Sequence, residues 1–387
     1  MGERDPLGLT PADWGAFAAS AGLPGYRGRQ LFDAIHRRGA RGYSGMTELP
    51  AALRERLASE LPIRLPKVVR REESADGSVK FGLGLSDGAL VEAVYMPGSE
   101  AFAEVNEFTD ARAVVPSRLP TPEPRRSTPP AEKFTVCLSS QTGCAVDCAF
   151  CVTGRLGAGR NLTAGEILGQ LYAVLDETGR TSEGLRIVFM GMGEPFLNPD
   201  GVLPALEILF EILPPRRVTV STSGITPAFA TLAALPRRPN LAVSLNAADE
   251  ATRTKLMPIT RTYPLAGLIA AMRAWPLEPR RRILVEYVLI AGVNDGEGDA
   301  RRLARLVSGF PVKVNVIPLN EDPTYLPGWK RPEESVIERF VRILADARVT
   351  VTVRRSKGPD ASAACGQLKG RTVDPRKVGS RESAARK

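Results

Sequence analysis

Three rhythms of apolar and polar positions succeed one another along this sequence. Up to about residue 65 the apolar positions recur at helical spacing. Thr10-Pro11-Ala12-Asp13 offers an N-cap hydroxyl, a proline for the first helical position and an acid in the first turn. Residues 27–38 (RGRQLFDAIHRR) are amphipathic with basic ends, and 47–61 predicts a further helix. The period then shortens to two over 68–73, 79–85 and 89–95. Turn signals at Asp76-Gly77 and Ser86-Asp87-Gly88 separate these segments, which predicts a small antiparallel meander.

Between 98 and 132 the pattern dissolves. The stretch PSRLPTPEPRRSTPP carries six prolines, too many for a helix or an inner strand, and is expected to be a loop or disordered insertion. The third rhythm follows it. Strands are predicted at 135–138, 186–190, 218–221, 242–245, 283–290 and 313–318, with helical patterns between them. In 163–177, Thr163 and Glu166 read as a capping box. Six such units predict an α/β fold with a parallel sheet, open or barrel-like, and right-handed crossovers. A last strand at 349–354 leads into a cysteine-bearing segment. The expected division is 1–65 helical, 66–97 meander, 98–132 insertion, 133–358 α/β core and 359–387 tail.

Composition adds little until charge is considered. The 387 residues are 43% hydrophobic and 25% charged, and no apolar run reaches the ~20 residues needed to cross a bilayer. The first residues hold acids and lack a signal peptide's basic region and apolar stretch, so a cytoplasmic protein without a membrane partner is expected. Net charge is +9, of which residues 369–387 supply +5: seven Lys or Arg against Asp374 and Glu382. A basic balance favours a phosphate backbone as partner. A basic tail is equally consistent with a solvated segment.

The candidate chemistry lies in the cysteines: Cys137, Cys144, Cys148 and Cys151 within 15 residues, and Cys365 far away. An odd, clustered set points to metal or redox chemistry rather than a disulfide framework. The single histidine, His36, removes most histidine-based schemes. In Cys144-x-x-x-Cys148-x-x-Cys151, three thiolates on one loop suit three irons of a cubane cluster and leave the fourth iron open. The competing reading is a zinc knuckle with Cys137 or Cys365 as fourth ligand, although zinc sites favour separated cysteine pairs. About forty residues later, Met190-Gly191-Met192-Gly193-Glu194-Pro195 ends the second α/β strand, where such folds place ligand loops. Gly193 allows close backbone approach, and Glu194 offers an acceptor for an ammonium group.

The cysteine spacing is the signature of the radical S-adenosylmethionine (SAM) superfamily, and the sequence resembles its RlmN/Cfr family of RNA adenine methyltransferases. The resemblance runs from about Arg27 to Gly370 outside the proline-rich insertion. It is dense in SSQTGCAVDCAFCVTGRLGAGRNLTAGEILGQ, VFMGMGEPFLN, RVTVSTSG, VNVIPLN and ACGQL. It implies a partial (β/α)6 radical SAM barrel with an N-terminal helical domain as RNA-binding candidate. It also implies a [4Fe-4S] cluster on Cys144, Cys148 and Cys151, and two SAM molecules per turnover. In the route the resemblance implies, one SAM would methylate Cys365, and a radical derived from the second would abstract hydrogen from that methyl group. The carbon radical adds to the adenine, Glu92 matches the base that removes the ring proton, and Cys137 matches the cysteine that releases product as a disulfide. SAM contacts carry over to Gly193, Glu194, Ser221, Ser244, Leu245, Asn246 and Asn320. The family's Ser-Leu-His stands here as Ser244-Leu245-Asn246, and asparagine keeps hydrogen bonding but cannot titrate.

The family implies RNA as substrate, with large-subunit rRNA foremost and tRNA beside it, a flavodoxin-like electron donor and a monomer. Carbon-2 of adenine is favoured over carbon-8, the resistance-conferring alternative, and both use the same cysteines. A radical SAM activase with a non-RNA substrate has no need of Cys137 and Cys365. A non-catalytic RNA-binding homologue would be expected to have lost a ligand, and none is lost.

Overall fold

A computed structural model of the chain describes residues 5–98, 132–354 and 367–368. The predicted insertion falls outside these residues except at its two ends. Cys365 and the basic tail fall outside them as well.

Ten strands form one sheet in chain order: β1 (Lys67–Glu73), β2 (Val79–Gly84), β3 (Leu90–Pro97), β4 (Phe134–Cys137), β5 (Leu185–Phe189), β6 (Val218–Thr222), β7 (Asn240–Ser244), β8 (Ile283–Leu289), β9 (Val312–Pro318) and β10 (Thr350–Val353). Pairing is antiparallel from β1 to β4 and parallel from β4 to β10. The six predicted α/β strands are therefore β4–β9, and the last predicted strand adds β10 as a seventh parallel member. The meander is continuous with this sheet, because Val94 of β3 pairs with Cys137 of β4.

Helices cross between the parallel strands. Among them are α5 (Ala164–Thr178) after β4, α6 (Pro199–Ile212) after β5, and α8 (Glu250–Leu256) after β7. The predicted capping box is present: Glu166 N donates to Thr163 Oγ1 and Thr163 N donates back to Glu166 Oε2. In the N-terminal part, the Thr10–Asp13 box starts the helix Pro11–Ser20. The helix predicted at 27–38 is found as Tyr26–Phe32 running into a π-helical turn, Asp33–Arg37. The helix predicted from residue 47 begins only at Ala51 and ends at Glu60. Pro50 is the reason, since a proline disfavours helical geometry in the residue before it, and Leu49 is that residue.

Strand register divides the sheet into two faces. Phe81, Leu83, Val91, Val136, Ile187, Val220, Val243, Val285 and Val314 are buried in the main apolar core. The opposite face carries polar groups at buried positions. Register links Cys137 to Val188, Val188 to Thr219, Ser244 to Glu286, and Glu286 to Asn315. A fold that spends interior positions on Ser, Glu, Asn and Cys is shaping a site, because each buried polar group must find a partner. No helix among the described residues is long and apolar enough to cross a membrane.

Candidate active site

Cys144, Cys148 and Cys151 lie in the loop that follows β4, where the chain doubles back on itself. Cys144 N donates to Gly157 O at 2.9 Å and Cys151 N to Cys148 O at 3.0 Å. Gly143 is required by the close approach, since a Cβ there would stand 2.2 Å from Gly157 O. All three cysteines line one cavity of about 150 Å³ at the carboxyl ends of the parallel strands. Burial pushes the Cys144 thiol up to about 12, and repulsion from Cys151 adds to it. Burial also raises the Cys148 thiol well above its ordinary value, and Cys151 and Cys144 add to the rise. Three thiolates in so little water need positive charge beside them, and an iron–sulfur cluster supplies it. Among the described residues no three His, Cys, Asp or Glu side chains converge as a single ion requires. A cubane makes a different demand, one thiolate for each of three irons, and the donor set fits it.

The Gly193–Glu194 turn lines the same cavity as the cysteines. Gly193 has φ of 98°, and a Cβ on it would lie 2.6 Å from the Gln141 side chain, so glycine is needed on both counts. Gln141 Oε1 accepts from Glu194 N at 2.8 Å. The Glu194 carboxylate accepts from Phe196 N at 2.9 Å and from Ser223 N at 2.6 Å, which ties the end of β5 to the end of β6. Burial raises its pKa, and these hydrogen bonds oppose the rise. The Thr222 and Ser223 hydroxyls add side-chain hydrogen bonds to the same carboxylate, which fixes its orientation at the cavity.

Ser221, Ser244, Asn246 and Asn320 also line the cavity. Asn246 has φ of 57°, a left-handed conformation that asparagine tolerates better than most residues. Its Oδ1 accepts from Val288 N at 2.9 Å, and its Nδ2 donates to Met257 Sδ at 3.2 Å. Leu245 is separate: its side chain is buried in the main core, and its carbonyl accepts from Arg253 Nε at 3.1 Å.

Glu92 and Cys137 share the cavity's face of the sheet without forming part of its wall. Glu92 is 1% exposed, which excludes the solvent-facing role that its alternating strand allows. Its Oε1 lies 3.8 Å from both Lys80 Nζ and Arg70 Nη1. Its carbonyl accepts from Ser139 Oγ at 2.6 Å, and that oxygen accepts from Met192 N at 2.9 Å, so Glu92 is coupled to the glycine-rich turn. Cys365 lies outside the described residues. Leu368, three residues further along the chain, is in the cavity wall, and its carbonyl accepts from Thr153 Oγ1 at 2.8 Å.

Two charged groups escaped the sequence reading. Arg253 sits within EATRTKL, indistinguishable there from a solvated helix charge, yet it is fully buried. Glu286 lines the cavity at 4% exposure; its Oε1 accepts from Asn315 Nδ2 at 3.3 Å, and its Oε2 has no hydrogen-bond partner among the described residues. A lone charge inside the apolar run ILVEYVL was the available signal for it.

A parallel α/β sheet with a three-cysteine loop after its first parallel strand and a Gly-Glu turn after its second defines a radical SAM enzyme. Residues 138–304 match the radical SAM superfamily, and residues 5–63 match the ribosomal RNA large subunit methyltransferase N-terminal domain. The dual-specificity RNA methyltransferase RlmN of Anaeromyxobacter dehalogenans is 41% identical over 93% of this chain and 90% of its own. That of Sorangium cellulosum is 42% identical over 94% and 95%. A crystal structure of a radical SAM methyltransferase from Sphaerobacter thermophilus superposes with a TM-score of 0.80, at 40% identity over 95% of this chain and 99% of that one. The chain belongs to the RlmN family of radical SAM RNA methyltransferases, and its cofactors are a [4Fe-4S] cluster and SAM.

Proposed function

We propose that this enzyme methylates carbon-2 of an adenine in large-subunit rRNA and in tRNA, with the methyl group carried on Cys365. The observation that supports the reading best is convergence: three cysteines, the Gly193–Glu194 turn, Ser221, Ser244, Asn246, Asn320 and Leu368 line one cavity. The dual specificity in the relatives' names supports two RNA pools. Cys144, Cys148 and Cys151 would hold the cluster, which would supply the electron for SAM cleavage, and each methyl transferred would consume two SAM molecules.

The chain's own groups divide the remaining work. Glu194 accepts the SAM ammonium, and Ser221, Ser244, Asn246, Asn320 and the Leu245 backbone hold its polar atoms. Glu92, with Lys80 and Arg70 beside it, accepts the proton that leaves the adenine ring, and the unpaired electron of the adduct would return to the oxidised cluster. Cys137 then attacks Cys365 Sγ: the S–S bond forms as the S–C bond breaks, and the carbon departs with the electron pair and takes a proton. Thiol exchange restores the pair in a reducing compartment. The N-terminal helices engage the RNA, and a flipped adenine enters the cavity. The proposal extends to a cytoplasmic monomer with a flavodoxin-like electron donor.

The test is nucleoside mass spectrometry of rRNA and tRNA from wild-type cells and from cells carrying Cys365→Ala. Loss of 2-methyladenosine from both pools is expected. Loss of 8-methyladenosine instead would move the reaction to the other ring carbon, and no change in either would overturn the methyl-carrier role.

A further inference from the structure

Arg253, on α8, is 0% exposed. Its Nε donates to Leu245 O at 3.1 Å, its Nη1 to Thr260 Oγ1 at 2.7 Å, and its Nη2 to Ser223 O at 2.6 Å and Ser244 O at 3.3 Å. Every acceptor is neutral. Among the described residues no carboxylate oxygen lies within 4.0 Å of the guanidinium. The hydrogen bonds are satisfied and the charge is not, an unfavourable state for a buried cation unless an anion joins it. Burial accordingly lowers its pKa to about 10, against the pull of Cys148 and Glu250.

The surroundings indicate which anion. The cysteine loop docks on the end of this helix, where Ala149 N donates to Leu256 O at 2.9 Å. Cys148 and Phe150 pack against the cluster of Leu256 and Met257. Arg253 and Glu194 also grip the same residue from opposite sides, since Ser223 N donates to Glu194 Oε2 at 2.6 Å while Ser223 O accepts from Arg253. The cation therefore stands behind the cavity rim, fixed by the strand ends that form it.

We propose that Arg253 is the built-in counter-cation of the cysteine centre, and that its charge raises the reduction potential of the cluster held there. Three thiolates and an added electron accumulate negative charge at one spot, and a fixed cation in a site of low dielectric stabilises the reduced form over the oxidised one. Arginine suits the task because it stays charged when buried and its planar fork is held rigidly by three backbone carbonyls and one hydroxyl. The inference rests on Cys144, Cys148 and Cys151 being the ligands.

The test is a potentiometric titration of the full-length protein, reconstituted anaerobically with iron and sulfide and followed by electron paramagnetic resonance. Arg253→Gln is expected to lower the reduction equilibrium constant at least tenfold, which is about 59 mV for one electron. Arg253→Lys is expected to restore most of the potential. Thr260→Asp keeps the arginine but places a carboxylate on Nη1, and it is expected to lower the potential as well. It decides the matter if Arg253→Gln does not hold a cluster. A potential unchanged in either neutralised variant that holds a cluster overturns the proposal, since a purely structural arginine would alter folding or iron content alone. Failure of the ligand assignment reads differently: Cys148→Ala would then keep its iron.

Discussion

This chain buries polar side chains at two places and treats them in opposite ways. Where the N-terminal helices meet α5, His36 Nδ1 and Tyr172 Oη share a hydrogen bond at 2.5 Å, and burial keeps the imidazole neutral with its pKa lowered to about 3. Arg41 stands over the Tyr172 ring and makes two bonds to Asp176, at 2.9 and 3.0 Å. Charge there is either absent or matched. At the cavity, Arg253 has hydrogen bonds without a counter-charge, Glu286 keeps an unpartnered oxygen, and the cysteines resist ionisation. No charge stands alone at the junction, although His36 Nε2 and Arg41 Nη1 lack a hydrogen-bond partner among the described residues, and its contacts hold two parts of the molecule together. The second leaves Arg253 without a carboxylate within 4.0 Å and Glu286 balanced only through Arg354 and Lys313, which is how a site differs from a core.

Replacing Asn246 with alanine should break the comparison most visibly. It removes the acceptor of Val288 N and leaves a left-handed residue without asparagine's tolerance for that conformation. A loss of ~3 kcal/mol in denaturant unfolding is expected. A loss below ~1 kcal/mol would mean that the rim carries little of the fold's stability. Glu194→Gln acts on ligand binding instead. With one charge-assisted contact removed, SAM affinity measured by calorimetry should fall by about 2 kcal/mol, and stability should fall by about 1 kcal/mol because the amide nitrogen then faces Phe196 N or Ser223 N.

The junction has its own test in pH. His36 binds its proton with an ordinary pKa of 6.5 when unfolded and about 3 when folded. The unfolded state therefore holds more protons between these values, and stability rises with pH across that window. Its contribution is complete above pH 6.5 and declines on acidification by at most about 1.4 kcal/mol per pH unit. His36→Gln should flatten that limb of the stability profile, and an unaltered slope would assign acid sensitivity elsewhere.

Much of this was legible in the sequence. Strand periodicity located β4 to β10 within a residue or two, and the Thr10–Asp13 and Thr163–Glu166 boxes marked helix starts where the structure has them. The cysteine spacing and the Gly-Glu turn marked the cavity. What stayed hidden depended on tertiary placement. Nothing in β3 announces that it will pair with β4 across a long insertion, nor that Glu92 will be buried between Lys80 and Arg70. Arg253 looked like any helix-surface charge, because burial is decided by the strand ends that surround it. Asn246, where the family has histidine, holds a left-handed φ that is visible only in the backbone.

The central claim is that the cavity is built around an iron–sulfur cluster held by the three loop cysteines. Its most direct measurement is the iron content of the reconstituted protein together with 5′-deoxyadenosine formation from SAM, compared between the native chain and Cys148→Ala. About four irons per native chain, formation of deoxyadenosine on reduction, and loss of both in the variant are expected. A Cys148→Ala protein that retains its iron and still cleaves SAM would contradict it.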